Sequence, residues 1–287
     1  MFFSIIISTF NRLTLLESCL VSVQLAINRA KHFPVEVIIT DDSNNEDSMK
    51  LVQEDFPNFS YIKGEQKGPA ANRNNGASKA VGKWLIFFDD DVIVKEDILT
   101  KYAELINSTQ AEVFEGAIHP SDLTMMKKDM SECPVNINGN CFWSANFCIR
   151  ADVFRKVNGF DERFTIAAQE DQDIYIRLKK YFIIYFAKDA IVTHPVRIIS
   201  FKQKVFNIFR GVENWYLLET KHHKQSAKRF LKVSVSLIYS HLRAAFLNMK
   251  DLKLKSCLFS IFWIFSGLPF YFLLWVKSLV YKNEAYE

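Results

Sequence analysis

The sequence predicts an α/β protein built on a mostly parallel sheet wound with helices. Three observations carry that expectation. Apolar runs of strand length, β-branched at their centres, alternate with segments of helical period. Two of these runs, 35–40 and 84–88, end abruptly in carboxylates. The composition, 49% hydrophobic and 24% charged over 287 residues, suits a folded domain with an appendage and not a disordered chain.

"FFSIIIS" at 2–8 is a continuous apolar run, as in a strand covered on both faces. "TFNR" breaks it, and Leu13, Leu16, Leu20, Val23 and Ile27 then recur on one side of a helix from Leu13 to about Ala30. "VEVIIT" is a second strand that ends in Asp41 and Asp42, and a third is expected near Phe59 to Lys63. A glycine-bearing loop leads into a small-residue helix opened by Pro69, which a first helical turn tolerates. "WLIFF", Trp84 to Phe88, is the next strand and runs straight into Asp89, Asp90 and Asp91. Beyond it a helix is expected over 97–106, a strand at "AEVFEGAI", and a strand at "CFWSANFCIR" followed by a short helix. Residues 119–140 are polar and irregular and read as a loop. "QEDQDIYIRLKK" opens a helix with acids in its first turn and bases in its last, complementing the helix dipole. "FIIYFA" and "AIVTHP" read as two short strands.

The composition changes near Ser200, so one domain is expected over 1–199 and a helical region over 200–287. Residues 201–218 suit an amphipathic helix, 230–247 are mostly apolar, and 256–276 carry no charge. A bilayer takes about 20 apolar residues, although Gly267 and Pro269 interrupt the last segment. A membrane span, a re-entrant or interfacial hairpin and a buried helical pair all fit, as does a dimer-forming arm that would make a homo-oligomer. The basic runs "KHHKQSAKR" and "KDLKLK" beside these segments point to an anionic membrane surface and not to a nucleic acid. Bases flank the uncharged segment on both sides, so they give no orientation. Five scattered cysteines without C-x-x-C form neither a disulfide framework nor a zinc site, which suits a reducing compartment. The first apolar run lacks a basic leader and is too short for a secretory signal. There is no G-x-G-x-x-G, no P-loop and no H-E-x-x-H, which argues against a dinucleotide fold, a P-loop enzyme and a zincin.

Adjacent carboxylates at the carboxyl edge of a sheet repel one another unless a cation sits among them, and such oxygen ligands suit Mg²⁺ or Mn²⁺. Taken alone, Asp89 to Asp91 read equally as a solvated acidic turn. Asp42 suits a nucleobase or ribose acceptor, or an Asx turn. Arg73 suits a carboxylate or phosphate partner, or an exposed helix face. Glu170, Asp171 and Asp173 alone read as a solvated first turn.

The segments "IIISTFNR", "VIITDDSN", "KGPAANRNNGA", "FFDDDVIV", "NGFDERF" and "EDQDIYIRL" share their order and similar spacing with one family. Over roughly residues 3–195 the chain resembles family 2 glycosyltransferases of the GT-A fold. The resemblance implies inverting, metal-dependent transfer of a sugar from a nucleotide sugar, with UDP the expected carrier. It implies a glycan or lipid-linked acceptor in cell-surface polysaccharide synthesis, and with the C-terminal segments it implies work at the cytoplasmic face of the cell membrane. By position it implies that Ser8 and Phe10 line the nucleotide pocket, Asp42 recognises the base and Arg73 lies near the uridine. Asp89 starts the D-x-D motif and with Asp90 belongs to the nucleotide-sugar site, Asp90 contacting ribose or metal; Asp91 is the principal ligand of Mn²⁺ or Mg²⁺, and His194 is a further ligand or a structural residue. Asp171 is the catalytic base with Glu170 beside it. A non-catalytic nucleotide-binding or scaffolding subunit of a membrane glycan-assembly complex is the alternative. The chain departs from the family at "DDSN", where a glycine usually follows the aspartates.

Overall fold

Strands and helices alternate through the first half of the computed structural model, which describes residues 2–223 and 227–280. The order is β1 (Phe3–Thr9), α1 (Leu13–Arg29), β2 (Val35–Asp41), α2 (Asp47–Asp55), β3 (Ser60–Lys63), α3 (Pro69–Lys79) and β4 (Trp84–Asp89). Then come β5 (Ile93–Val94), α4 (Ile98–Ser108), β6 (Val113–Pro120), α5 (Leu123–Met126), β7 (Ser131–Glu132), β8 (Asn146–Arg150), α6 (Ala151–Lys156), α7 (Glu170–Lys179) and β9 (Ile184–His194). The chain closes with β10 (Arg197–Ile198), α8 (Phe201–His222), α9 (Ala227–Lys250) and α10 (Leu254–Val280).

The main sheet runs β3-β2-β1-β4-β8-β6-β9-β5. β1 pairs in parallel with β2 and β4, β2 with β3, and β6 with β9; β8 lies antiparallel between β4 and β6. The expected mostly parallel sheet is therefore present. One face is covered by α1, whose Leu16, Leu20 and Val23 join Ile5, Ile7, Ile39, Ile86 and Phe88 in a continuous core. The other face takes α3 at close range. A Cβ at Gly76 would stand 2.7 Å from Ile6 Cγ2 and 2.9 Å from Thr40 Cγ2, so this helix has to be made of small residues to lie there. That close approach is what brings Arg73 of α3 to the strand ends.

Three local expectations change. The runs at 182–187 and 190–195 form one strand, β9, with an irregularity: Gly116 pairs with Ala187 but Ala117 pairs with Ile191. The buried Asn146 amide donates to Ala117 O and Ala190 O, each at 2.9 Å, which satisfies carbonyls the interrupted ladder leaves over. "CFWSANFCIR" is extended only from Asn146, and 119–140 holds α5 and β7.

The chain divides into two compact units, Met1–Asp122 with Cys133–Pro195, and Leu123–Glu132 with Val196–Glu287. Within the second, α8 and α9 are joined by a two-pronged Arg229–Glu219 ion pair of 2.6 and 2.9 Å. His241 of α9 stacks on Trp263 of α10, and Phe201 meets Phe259 and Phe262 edge-on. Asp129 caps α10, accepting from Lys255 N at 2.7 Å and Ser256 N at 3.0 Å. α10 continues through Pro269 as a single helix, so no hairpin forms within 256–276. Among the described residues one helix, Lys228–Lys250, is long and apolar enough to cross a membrane, and Leu254–Gly267 is a shorter apolar one. Lys224 of the basic run at 221–229 lies outside the described residues.

Candidate active site

The parallel strands β1, β2 and β4 end side by side. Ser8 pairs across the sheet with Asp89 and with Thr40, and Thr9 pairs with Asp41. Carboxylates on neighbouring strands therefore arrive at one edge by register alone. The turn after β1 is fixed from β2: Asn11, at φ 54°, donates its N–H to Ser43 Oγ at 2.7 Å, and Asp42 N donates to Thr9 O at 3.1 Å. Ser43 N in turn donates to Asp41 Oδ1 at 2.7 Å. Ser43 has no positive φ, so the glycine usual at this point in the family is not needed here.

Asp42 is buried and both of its oxygens are engaged. Oδ1 accepts from Gln66 N at 3.1 Å and Oδ2 from Gly68 N at 3.2 Å, so the carboxylate fixes the loop that leads into α3. Burial raises its pKa while the two N–H groups oppose the rise. A Cβ on Gly64 would fall 1.9 Å from Asp42 Oδ1, so only glycine fits beside it. Phe10, by contrast, is 55% exposed.

The three aspartates have different partners. Asp89 ends β4 and accepts from Arg73 Nη2 at 2.7 Å. Asp90 Oδ2 accepts from Thr9 Oγ1 at 2.7 Å, and its Oδ1 accepts from Arg12 Nη1 at 3.1 Å. Asp91 Oδ2 meets the same Arg12 nitrogen at 3.0 Å, and its Oδ1 lies 3.2 Å from His194 Nε2. Asp90 and Asp91 are buried, so the solvated-turn reading fails. Burial pushes Asp90 up to about 6 against the pull of Arg12 and Thr9.

Arg73 ties this cluster to α7. Besides Asp89 it donates to Glu170 Oε1 at 3.1 Å. Burial would lower its pKa, but Asp89 and Glu170 outweigh that and hold the guanidinium charged. Glu170, Asp171 and Asp173 are all buried, so they are not a solvated helical turn. Asp173 is occupied by Arg177 at 2.7 Å, and Arg177 also donates to Gly159 O at 2.7 Å, which anchors the "NGF" segment. Asp171 Oδ1 accepts from Gln172 N at 2.7 Å. Burial first, and then the neighbouring Glu170, raise its pKa well above the ordinary carboxylate range. Glu170 is raised by burial as well, with Arg73 opposing.

The donor set fits a divalent cation. Asp89, Asp91 and His194 each offer one atom, and these atoms lie within 4.8 Å of one another. His194 Nδ1 is 3.0 Å from Pro195 O, which makes Nδ1 the protonated nitrogen. A neutral ring would then set the Nε2 lone pair against Asp91 Oδ1, two acceptors in contact unless a proton or a metal ion lies between them. Two carboxylates and an imidazole suit Mn²⁺ better than Mg²⁺, which prefers an all-oxygen shell.

The structure thus gathers Ser8, Arg73, Asp89, Asp90, Asp91, Glu170, Asp171 and His194 around one strand edge, with Asp42 on the next strand end and Phe10 at the surface. Sequence reasoning missed three participants. Thr9 and Arg12 lie in a segment read only as a strand breaker, although three adjacent acids call for a nearby base. Glu115, a carboxylate inside an apolar strand, accepts from Asn136 Nδ2, Asn140 N, Cys141 N and Phe142 N at 2.6 to 2.9 Å. It thereby folds the 136–142 loop, whose Cys141 O accepts from Gln172 beside Asp171 at 2.8 Å. A charged residue in an otherwise buried strand was the available signal.

Comparison with known proteins agrees with the fold. The family model described as Glycosyl transferase family 2 matches residues 4–170. The GalNAc(5)-diNAcBac-PP-undecaprenol beta-1,3-glucosyltransferase of Campylobacter jejuni is 29% identical over 130 residues, covering 44% of this chain and 41% of that protein. Among solved structures, S. aureus TarS 1–349 in complex with UDP aligns with a TM-score of 0.54 at 20% identity, covering 68% of this chain and 60% of that one. The TarS complex with UDP-GlcNAc gives 0.53 at 20% identity, covering 70% and 60%. The chain therefore spans less than two-thirds of each of these proteins, and the likeness to TarS shows the fold.

Proposed function

The chain belongs to glycosyl transferase family 2, and on that premise we propose that it moves a sugar from a nucleotide-sugar donor to a glycan or lipid-linked acceptor, with inversion at the anomeric carbon. The observation that carries the reading is the bridge through Arg73, which holds the strand-end aspartates and the α7 acids on one buried network. UDP is the proposed carrier, supported by the fold shared with a protein crystallised with UDP and UDP-GlcNAc. A lipid-linked acceptor is supported by the PP-undecaprenol in the name of the Campylobacter relative.

Asp91, His194 and Asp89 would hold a divalent cation, Mn²⁺ or Mg²⁺. When bound, it supplies positive charge against the diphosphate that departs. Ser8 and Asp42 frame the nucleotide end of the site, and Asp90 a ribose hydroxyl or the cation. Asp171 takes the proton of the acceptor hydroxyl, and its raised pKa makes it a stronger base than an ordinary carboxylate. Glu170 and Arg73 set the field that Asp171 feels and keep it beside the cluster. A single displacement with a base on the face opposite the leaving group inverts the centre.

The second unit is proposed to hold this site at a membrane, from the cytoplasmic side. Leu231, Val235, Tyr239, Leu242, Phe246 and Met249 recur every three or four residues along α9 and all are exposed. Lys228, Lys232, Arg243 and Lys250 lie among them, as an anionic surface favours. Transfer from UDP-sugars should be assayed with Mn²⁺ and with EDTA, on wild type, Asp91→Ala and Asp171→Asn. Loss of transfer in EDTA and in both variants is expected. Full activity of Asp171→Asn would remove Asp171 as the base; no transfer by the wild type itself would leave only the nucleotide-binding scaffold.

A further inference from the structure

Two arginines serve the aspartate cluster, and they are held differently. Arg73 is buried and gripped by Asp89 and Glu170, so it cannot leave without stranding acids in the interior. Arg12 has a side chain 43% exposed and a single nitrogen, Nη1, that bridges Asp90 and Asp91. Its backbone is fixed, because Arg12 O accepts from Leu15 N and Leu16 N at the start of α1 and Asn11 N is tied to Ser43. Only its side chain is able to move.

In this arrangement Asp91 Oδ2 faces Arg12 and Oδ1 faces His194. A divalent cation ligated by Asp91 adds positive charge within a few ångströms of the guanidinium. The two compete for one carboxylate. Resting on the metal-dependent reading above, we propose that Arg12 is an internal counter-ion that holds Asp90 and Asp91 in the cation-free protein, is displaced when the cation binds, and then binds the diphosphate of the donor. The planar guanidinium, with its five donors and fixed charge, matches diphosphate oxygens better than a point charge would. Cation and diphosphate binding then strengthen each other, because the first event releases the ligand for the second.

The test uses the full chain and two titrations, Mn²⁺ alone and then UDP at saturating Mn²⁺, on wild type, Arg12→Met and Arg12→Lys, with thermal melts to establish that each is folded. Arg12→Met should bind Mn²⁺ about tenfold more tightly and UDP about tenfold more weakly, within the usual range of coupling between sites. Arg12→Lys, which keeps the charge but not the fork, should fall between. Unchanged or weaker Mn²⁺ binding in Arg12→Met would overturn the inference while leaving metal dependence in place. Tighter Mn²⁺ with unchanged UDP would overturn the diphosphate half. No Mn²⁺ binding by any of the three proteins would overturn both the inference and the metal reading.

Discussion

The two units break the same rule in opposite directions. The first buries charge: Arg73, Asp90, Asp91, Glu115, Glu170, Asp171 and Asp173 are all inside. The second exposes hydrocarbon, with Leu231, Val235, Tyr239, Leu242, Phe246 and Leu258 on its surface. Soluble domains avoid both, since a buried ion needs a partner and an exposed apolar stripe invites association. In the first unit the cost is offset by pairing and by what the charges do to a substrate. In the second, the outer stripe of α9 has no such compensation among the described residues, and the proposed membrane contact would supply it from outside.

The comparison breaks most visibly at Asp171. Asp171→Asn keeps size and burial but removes the base, so kcat should fall about 10³-fold with donor KM nearly unchanged, by steady-state kinetics. Retained kcat would mean that the α7 acids are buried for structure alone. Arg73→Ala should lower stability by about 3–5 kcal/mol, because Glu170 is left charged and unpaired inside. A denaturant melt reads this directly, and a change below about 1 kcal/mol would show that the bridge is not what holds α7 to the strand ends.

A pH series sharpens the same point. Burial holds Asp90 at about 6 in the folded protein, above the ordinary aspartate value of 3.8, so its stabilising contribution is complete below about 4 and is lost as pH rises through 6. In cation-free protein Asp90→Asn should flatten this part of the stability curve, a difference of at most about 3 kcal/mol above pH 7. Activity runs the other way, because the raised Asp171 must lose its proton: kcat/KM should climb with pH through a value above the ordinary carboxylate range. In the second unit, Leu231→Ser with Phe246→Ser should cut binding to anionic vesicles by about tenfold or more. Transfer to a water-soluble acceptor should be unchanged; vesicle binding equal to wild type would leave the stripe to another partner.

The sequence carried the fold well where period and length agree. β1, α1, β2, α3 and β4 emerged close to expectation because each has an apolar run, an apolar stripe or a small-residue face bounded by a clear break. It carried the fold less well where a polar interruption sits inside one strand: Lys188 and Asp189 separate two runs read as short strands, and Asn146, remote in sequence, satisfies carbonyls at the irregularity in β9. The acids of the site were legible as strand ends and a helix start. Of their bases, Arg73 was legible and Arg12 was not. Nothing local distinguishes Arg12 from a surface arginine, since its partners lie 78 and 79 residues away. Glu115 stood out as a charge inside an apolar strand, but the loop it organises had no pattern to read.

The central claim is that Asp89 and Asp91 at the end of β4 and His194 at the end of β9 grip one cation that the donor diphosphate shares. UDP binding measured calorimetrically, on wild type and Asp91→Asn, in Mn²⁺ and again in EDTA, tests it most directly. UDP should bind wild type tightly in Mn²⁺ only, and Asp91→Asn weakly in both. Equal UDP affinity for wild type in Mn²⁺ and in EDTA would contradict the account.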